Sequence, residues 1–294
     1  AKNINAYLVE GDDIVIEKRR KPLCNVLNII KGNYYAKSEG LIIEEKDLDY
    51  LVKNEPNAKK WIKLLIGADE FINNRKRYCL WLVDCPPDEL RKMPLVMERV
   101  NRVREDRLKS TDKGMQNLAP IRFRETNNPD KCIVIPVVSS EKRPYIPIGF
   151  IDKNTISTNG NLIIPNGDLF LFGQLTSLMH MAWVKYTCGR LKSDYRYSKD
   201  LVYNNYPFPK NVSEKQKKAV EEKAQNVLNI RSQFSDCSLA DLYDPLSMPP
   251  NLKKAHQELD KAVDNCYGSK SFKNDKERIE FLFGLYEEYL NTQK

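Results

Sequence analysis

Hydrophobic and polar positions change pattern three times along the 294 residues. Residues 1–75 are mixed. Tyr7–Glu10 and Asp13–Glu17 read as short strands, while Glu45–Val52 and Ala58–Leu65 carry apolar residues at helical spacing. Arg77–Val83 is apolar nearly throughout and predicts a strand stopped by Pro86 and Pro87. Asp88 opens a helical stretch to about Lys109, with Leu95, Val96, Val100, Val103 and Leu108 on its apolar side. Pro94 must start a new helix there or kink this one. The outer face carries Arg99, Arg102, Arg104 and Arg107 interleaved with Glu98 and Glu105, the composition of a solvated surface.

From Cys132 to Phe172 the pattern turns to β. Ile133–Val138, Tyr145–Ile151, Leu162–Ile164 and Leu169–Phe172 are short β-branched or aromatic runs separated by Gly, Pro, Asn and Ser. Such spacing predicts an antiparallel, twisted sheet. Pro136 and Pro147 inside these runs imply edge strands or bulges. Gln174–Cys188 then predicts a helix with Leu175, Leu178, Met179, Ala182, Trp183 and Tyr186 on one face and Gly189 as its C-cap. His180 lies in it without a ligand partner in sequence and reads as a packed or surface histidine. Pro207 and Pro209 close this region. Residues 210–294 are helical: Ser213 and Gln216 form a capping box, Ser238 caps a short turn, one helix stops at Gly268, and another starts from Asp275. The expected class is α+β. A mixed, mainly antiparallel domain is expected over 1–209, and a helical bundle follows over 210–294.

Composition narrows the class. With 41% hydrophobic residues the chain can build a core, and with 30% charged residues it reads as soluble. No run approaches the roughly 18 apolar residues of a membrane span. The N-terminus lacks the features of a signal peptide and an initiating Met, so a fragment of a longer, cytoplasmic protein is expected. Seven cysteines without a CxxC pair, and two distant histidines, argue against a zinc site and for free thiols in a reducing compartment.

Charge is distributed unevenly. Residues 209–294 hold 14 Lys/Arg and 14 Asp/Glu, so the whole net charge of +8 lies in residues 1–208. Lys185–Lys199 alone contains Lys185, Arg190, Lys192, Arg196 and Lys199 against Asp194. That is either the footprint of a polyanion partner or a solvated face.

Catalytic signatures are missing. The chain has no GxGxxG, GxxxxGK[ST], GxSxG or HExxH. Asn204-Asn-Tyr-Pro207 lacks the paired prolines of the Asn-Pro-Pro-Tyr/Phe loop of adenine-N6 methyltransferases and reads as a turn. Pro129-Asp130 with Glu141-Lys142 lacks the residue between acid and lysine that a PD…(D/E)xK nuclease needs.

What remains is a binding surface. In the DNA major groove, Lys or Arg donates to guanine and Asp accepts from cytosine N4, each good contact being worth about 1–3 kcal/mol. On an extended chain Lys192 and Asp194 would point to one side. They either read one G·C pair, with Arg190, Arg196 and Lys199 holding phosphates, or form a plain surface ion pair.

At this segment the sequence resembles the C-terminal region of MmeI-like (type IIL) restriction–modification enzymes. The matching motifs are Leu175-Thr-Ser-Leu-Met-His-Met-Ala-Trp-Val184, Gly189-Arg-Leu-Lys-Ser-Asp-Tyr-Arg-Tyr-Ser198 and Leu201-Val-Tyr-Asn-Asn-Tyr-Pro-Phe-Pro209. Lys21–Cys24, Gly67–Ile72, Trp81–Asp84, Leu90–Pro94, Ser139–Arg143, Tyr145–Phe150 and Leu239–Pro245 extend the likeness over essentially the whole chain. The resemblance implies a sequence-specific duplex-DNA recognition module without a catalytic centre of its own. Adenine-N6 methyltransferase and nuclease domains, using S-adenosylmethionine and Mg2+, would lie upstream on the same polypeptide, and this region would need no cofactor. By the same resemblance Lys192, Ser193, Asp194 and Arg196, with Asn159 and Gly160, contact DNA; Arg143, Arg190, Tyr195 and Lys199 complete the expected DNA-binding set. The competing expectation is a scaffold whose neutral helical bundle docks another subunit.

Overall fold

The computed structural model describes Tyr7, residues 14–268 and residues 272–292. In chain order the first elements are β1 (Ile30–Lys31), β2 (Ile42–Glu44), α1 (Glu45–Asn54), β3 (Ile62–Ile66), α2 (Ala68–Asn73) and β4 (Arg77–Leu80). Next come α3 (Pro87–Leu90), α4 (Pro94–Leu108), α5 (Lys113–Gln116), β5 (Lys131–Pro136), β6 (Val138–Ser139), β7 (Gly149–Asp152), β8 (Thr155–Ser157) and β9 (Asn161–Pro165). Then follow α6 (Leu169–Leu175), α7 (Leu178–Thr187), β10 (Gly189–Leu191), β11 (Asp194–Arg196), α8 (Glu214–Ser232), α9 (Leu239–Leu242), α10 (Pro250–Cys266) and α11 (Asp275–Thr292).

Three sheets result, with strand orders β1-β9-β5-β7, β10-β11-β6 and β2-β4-β3-β8. Every pairing is antiparallel except β3 with β8. The class is therefore α+β with a helical C-terminal region. Strand β5 is the keystone. Ile133 and Ile135 face the helices in the largest core, while Cys132 and Val134 face Ile66 and Ile163 on the other side. Burial on both faces explains its unbroken apolar run. Pro136 sits where β5 has outrun β7, which pairs only as far as Val134, and there it meets Asn161 of β9. The missing N–H therefore breaks no rung on that side.

The second core lies under the β2-β4-β3-β8 sheet and α4. Val96, Val100, Val103 and Arg107 are the buried stripe of α4, whereas Leu108 is 63% exposed. This reverses the expected placing of the last two. The stripe keeps the spacing i, i+4, i+7, i+11, and a guanidinium occupies its last position. Arg107 donates from Nε to Lys37 O (3.1 Å), and from Nη2 to Ser38 Oγ (2.7 Å) and Arg122 O (2.6 Å). Its Nη1 also reaches the Leu118 and Ala119 carbonyls. Neutral acceptors thus compensate a buried cation.

Other expectations change locally. Leu169–Phe172 begins α6 rather than a strand, because Asp168 accepts the Leu171 N–H and caps a helix there. Ala58–Leu65 divides into a 3-10 turn over Pro56–Trp61 and strand β3. Residues 14–17 run outside the sheets, with Ile14 and Ile16 buried and Val15 exposed. The neighbouring expectation for Tyr7–Glu10 falls largely outside the described residues. Residues 145–148 are likewise irregular, so β7 starts only at Gly149. The helix expected over Gln174–Cys188 is broken at Thr176, and Ser177 caps α7 afresh. Gly189 does not cap it in the left-handed conformation; the chain leaves α7 through extended Cys188 directly into β10.

The helices complete the largest core. Val220, Ala224 and Val227 of α8 pack with Leu252, Ala255, Leu259 and Val263 of α10. Trp183 of α7, fully buried, donates Nε1–H to Val202 O at 3.0 Å. Its ring meets Phe283 and Tyr286 of α11 at 5.8 Å each. The α7–α11 contact joins the sheet-bearing part to the helical part through these rings and through an ion pair of Lys185 with Asp275.

Candidate nucleic-acid interface

Residues 189–196 fold as a two-stranded ribbon. Leu191 pairs with Asp194 and Gly189 with Arg196, which leaves Lys192 and Ser193 as a two-residue turn. Lys192 takes the left-handed conformation (φ 55°). That conformation is uncommon for a residue with a Cβ. The turn overturns the expectation of an extended segment with Lys192 and Asp194 on one side. The cation stands at the tip, and the carboxylate begins the returning strand.

Several neighbours hold this tip. Arg190 donates to Ser193 O at 2.9 Å, pairs with Glu141 at 3.2 Å, and lies over the Tyr195 ring at 4.3 Å. Tyr195 is only 4% exposed. Its ring is the floor under Arg190, and burial raises its phenol pKa. Tyr195 thus supports the ribbon and offers no face to a partner, contrary to the expected contact. Arg190 braces the turn with donors that were assigned to phosphates. Lys192, Ser193 and Arg196 are exposed, and Asp194 is half-buried.

The ribbon is stitched to β6, where Tyr195 pairs with Ser139 and Arg196 with Val138. Val137 forms the next links: its N–H donates to Gly160 O at 3.0 Å, and its carbonyl accepts from Tyr197 N at 2.8 Å. The Asn159–Gly160 loop and the ribbon, far apart in sequence, are thereby two hydrogen-bonded rungs apart, about 10 Å at strand spacing. Asn159 is exposed. A parallel bridge of Asn33 to Thr158 holds this loop from behind, with Asn33 Nδ2 donating to the Ser157 and Asn127 carbonyls.

Arg143 reaches Ser139 Oγ at 3.4 Å beside Asp194 and Asp244. Burial lowers its pKa, and the two carboxylates partly offset that. Lys199 is drawn toward Asp200 at 3.8 Å, at the start of a π-helical turn over Lys199–Tyr203. His180 is buried, its Nε2 2.9 Å from Tyr197 Oη, and burial pushes its pKa down to about 3. It is a packed neutral histidine under the ribbon. Asn204 and Asn205 spend their amides on the Arg19, Glu17, Asp200 and Leu201 carbonyls. Sequence reasoning missed Glu141 and Val137. Neither stands out by type, since each acts through a contact that only the fold creates.

A protruding ribbon with a cationic tip, a carboxylate one residue along and an adjacent polar loop suits a groove with alternating donors and acceptors. Comparisons with known proteins follow the same outline. The family model for the MmeI target recognition domain matches residues 10–210, and that for the MmeI C-terminal domain matches residues 212–293. DNA methyltransferase A of Bacillus subtilis (strain 168) is 40% identical over 289 residues. That match covers 97% of this chain but 33% of the relative, so the chain spans about a third of its length. A solved structure of the type IIL restriction–modification enzyme MmeI in complex with DNA is 43% identical, with a TM-score of 0.93. It covers 99% of this chain and 39% of that one. The chain belongs to the MmeI family and carries its target recognition domain followed by its C-terminal domain.

Proposed function

We propose that this chain reads the sequence of double-stranded DNA for a restriction–modification enzyme. The observation that carries the reading is the braced ribbon of residues 189–196, with its exposed Lys192–Ser193 tip, in a target recognition domain. A two-stranded ribbon fits a major groove about 12 Å wide. Lys192 donates to guanine O6 and N7, and Asp194 accepts from cytosine N4. Ser193 and Asn159 reach neighbouring base edges, Gly160 lets the backbone approach, and Arg196 and Lys199 hold phosphates and set the register. Arg190 and Arg143 keep Lys192 and Asp194 in place.

The chemistry belongs to other parts of the same polypeptide. These would be an adenine-N6 methyltransferase domain that extrudes the target base and a nuclease domain, with this chain as their non-catalytic partner in the cytoplasm. S-adenosylmethionine would supply the methyl group there and Mg2+ would serve the nuclease. Within the described residues no group of three His, Cys, Asp or Glu could hold a metal ion, and no helix is long and apolar enough to cross a membrane.

Fluorescence anisotropy with a random-sequence duplex, at low and physiological salt, tests the electrostatic part. The expected slope of log K against log salt is about −0.9 per neutralised phosphate. Salt-independent binding would favour a protein-docking role instead. In the complete polypeptide, Lys192→Glu with Asp194→Arg should invert one G·C pair of the methylated site. An unchanged site would overturn the assignment of the tip.

A further inference from the structure

A second cationic feature lies outside the ribbon. Residues 18–21 read Lys-Arg-Arg-Lys, and Glu17 is the one acid between residues 14 and 24. Lys18, Arg20 and Lys21 are exposed. No ion pair among the described residues neutralises any of these three. The C-terminal helices behave differently, pairing Lys217 with Glu221, Lys223 with Glu258 and Lys276 with Glu280.

The run is held firmly against the segment that follows the ribbon. Arg19 N donates to Asp200 O at 2.9 Å, and Leu23 N donates to Asn204 O at 2.7 Å. Asn204 Nδ2 returns a bond to Arg19 O at 2.7 Å, and Asn205 Nδ2 donates to Glu17 O at 2.9 Å. This backbone docking holds the run against Asp200 and Asn204 in the segment that opens at Lys199, and Lys199 lies three positions after Arg196 of the ribbon. That is about 10 Å of chain at strand rise. Two buried asparagine side chains spent on an irregular surface segment fix where its charges stand. An interchangeable solvated surface would not require that.

We infer that Lys18, Arg20 and Lys21 form a second phosphate-contacting surface, which grips the duplex backbone beside the bases read by the ribbon. The inference rests on the DNA-reading function proposed above. Each strand of B-DNA carries one phosphate per about 3.4 Å of axis, so roughly 10 Å of duplex presents about three phosphates of the facing strand to this edge. The contacts are to phosphate, so they add affinity for any sequence and no discrimination.

The test compares the complete polypeptide with its Lys18→Gln/Arg20→Gln/Lys21→Gln variant, on cognate and random duplexes over a salt series. The salt slope should become shallower by about 2–3, and affinity should fall by the same factor for both duplexes. Exchanging the cations among themselves (Lys18→Arg, Arg20→Lys, Lys21→Arg) should restore the slope. If the triple variant fails to fold, Lys18→Gln and Lys21→Gln singly should each remove about 0.9 of slope. Wild-type DNA binding with an unchanged slope in the variants overturns this surface and leaves the ribbon assignment standing. Absence of salt-dependent binding by the wild type overturns both.

Discussion

Asp260 illustrates how single residues tie the molecule together. It is 4% exposed on α10, and its oxygens accept Leu178 N and Tyr145 Oη, each at 2.7 Å. One carboxylate thus holds the start of α7 and the irregular stretch before β7. Asp264 and Arg278 face it, joined to each other at 2.7 Å. Burial pushes the Asp260 pKa up to about 7, against the opposing pull of its two donors and Arg278. A folded-state pKa above the unfolded value means that the native state binds the proton more tightly. The stability contributed is full below about pH 4 and is lost as pH rises to about 7. Asp260→Asn should abolish that loss. Its urea midpoint relative to wild type should rise between pH 4 and 7.5, by the equivalent of about 2–4 kcal/mol. Parallel profiles would contradict this. At the same scale, sequence reasoning could name candidate residues but not their local geometry. Charge type and motif marked Lys192, Asp194 and Arg190. The turn that separates the first two did not announce itself, because Lys-Ser is not among the usual two-residue hairpin signals. Arg107 was misjudged for a related reason. Its charge argued for the surface, and only the carbonyls gathered around its guanidinium make the interior tolerable.

Among elements, the pairing that anchors the Asn159–Gly160 loop tolerates no extra atom. A Cβ on Gly32 would lie 2.1 Å from Thr158 O and 2.8 Å from Ser157 O. Both are backbone atoms, so neither can swing aside. Gly32→Ala should therefore part β1 from the loop and cost about 1–3 kcal/mol of stability. Loosened backbone protection at Asn159 and Asn161 in hydrogen exchange would mark the damage. An unchanged denaturation midpoint would show that the strand can shift. This contact could not be read from sequence, since it depends on a parallel bridge between residues 33 and 158. Long periodic elements were legible: α1, α4, α8, α10 and α11 fall where apolar spacing and capping boxes predict. Short apolar runs were not. Leu169–Phe172 and Ala58–Leu65 fit either period, and a cap or a partner strand decided each.

The whole molecule has one dominant core that ignores the boundary between its two family domains. Ile133, Phe172 and Trp183 from one side belong to the same buried cluster as Val220, Leu259 and Phe283 from the other. Calorimetry of this chain should accordingly give a single transition for this cluster, with calorimetric and van't Hoff enthalpies agreeing. Two resolved transitions separable at residue 211 would refute the continuity. After residue 209 the chain changes to helices of neutral net charge, yet nothing in its patterning shows the continuity of the core. Apolar periodicity tells which face of a helix is buried, not what lies against it.

The ring contacts of Trp183 bear on how specificities could be exchanged between relatives. A chimera cut at the domain boundary would join α7 of one protein to α11 of another. Trp183, Phe283 and Tyr286 would then meet partners shaped in a different lineage. Such recombinants inherit a mismatched interior before their recognition surface is ever tried. The ribbon tip makes no such demand, because Lys192 and Ser193 project from the interior. On the proposed reading of the tip, new target preferences are more cheaply grafted by changing a few of its residues than by transplanting the domain that carries them.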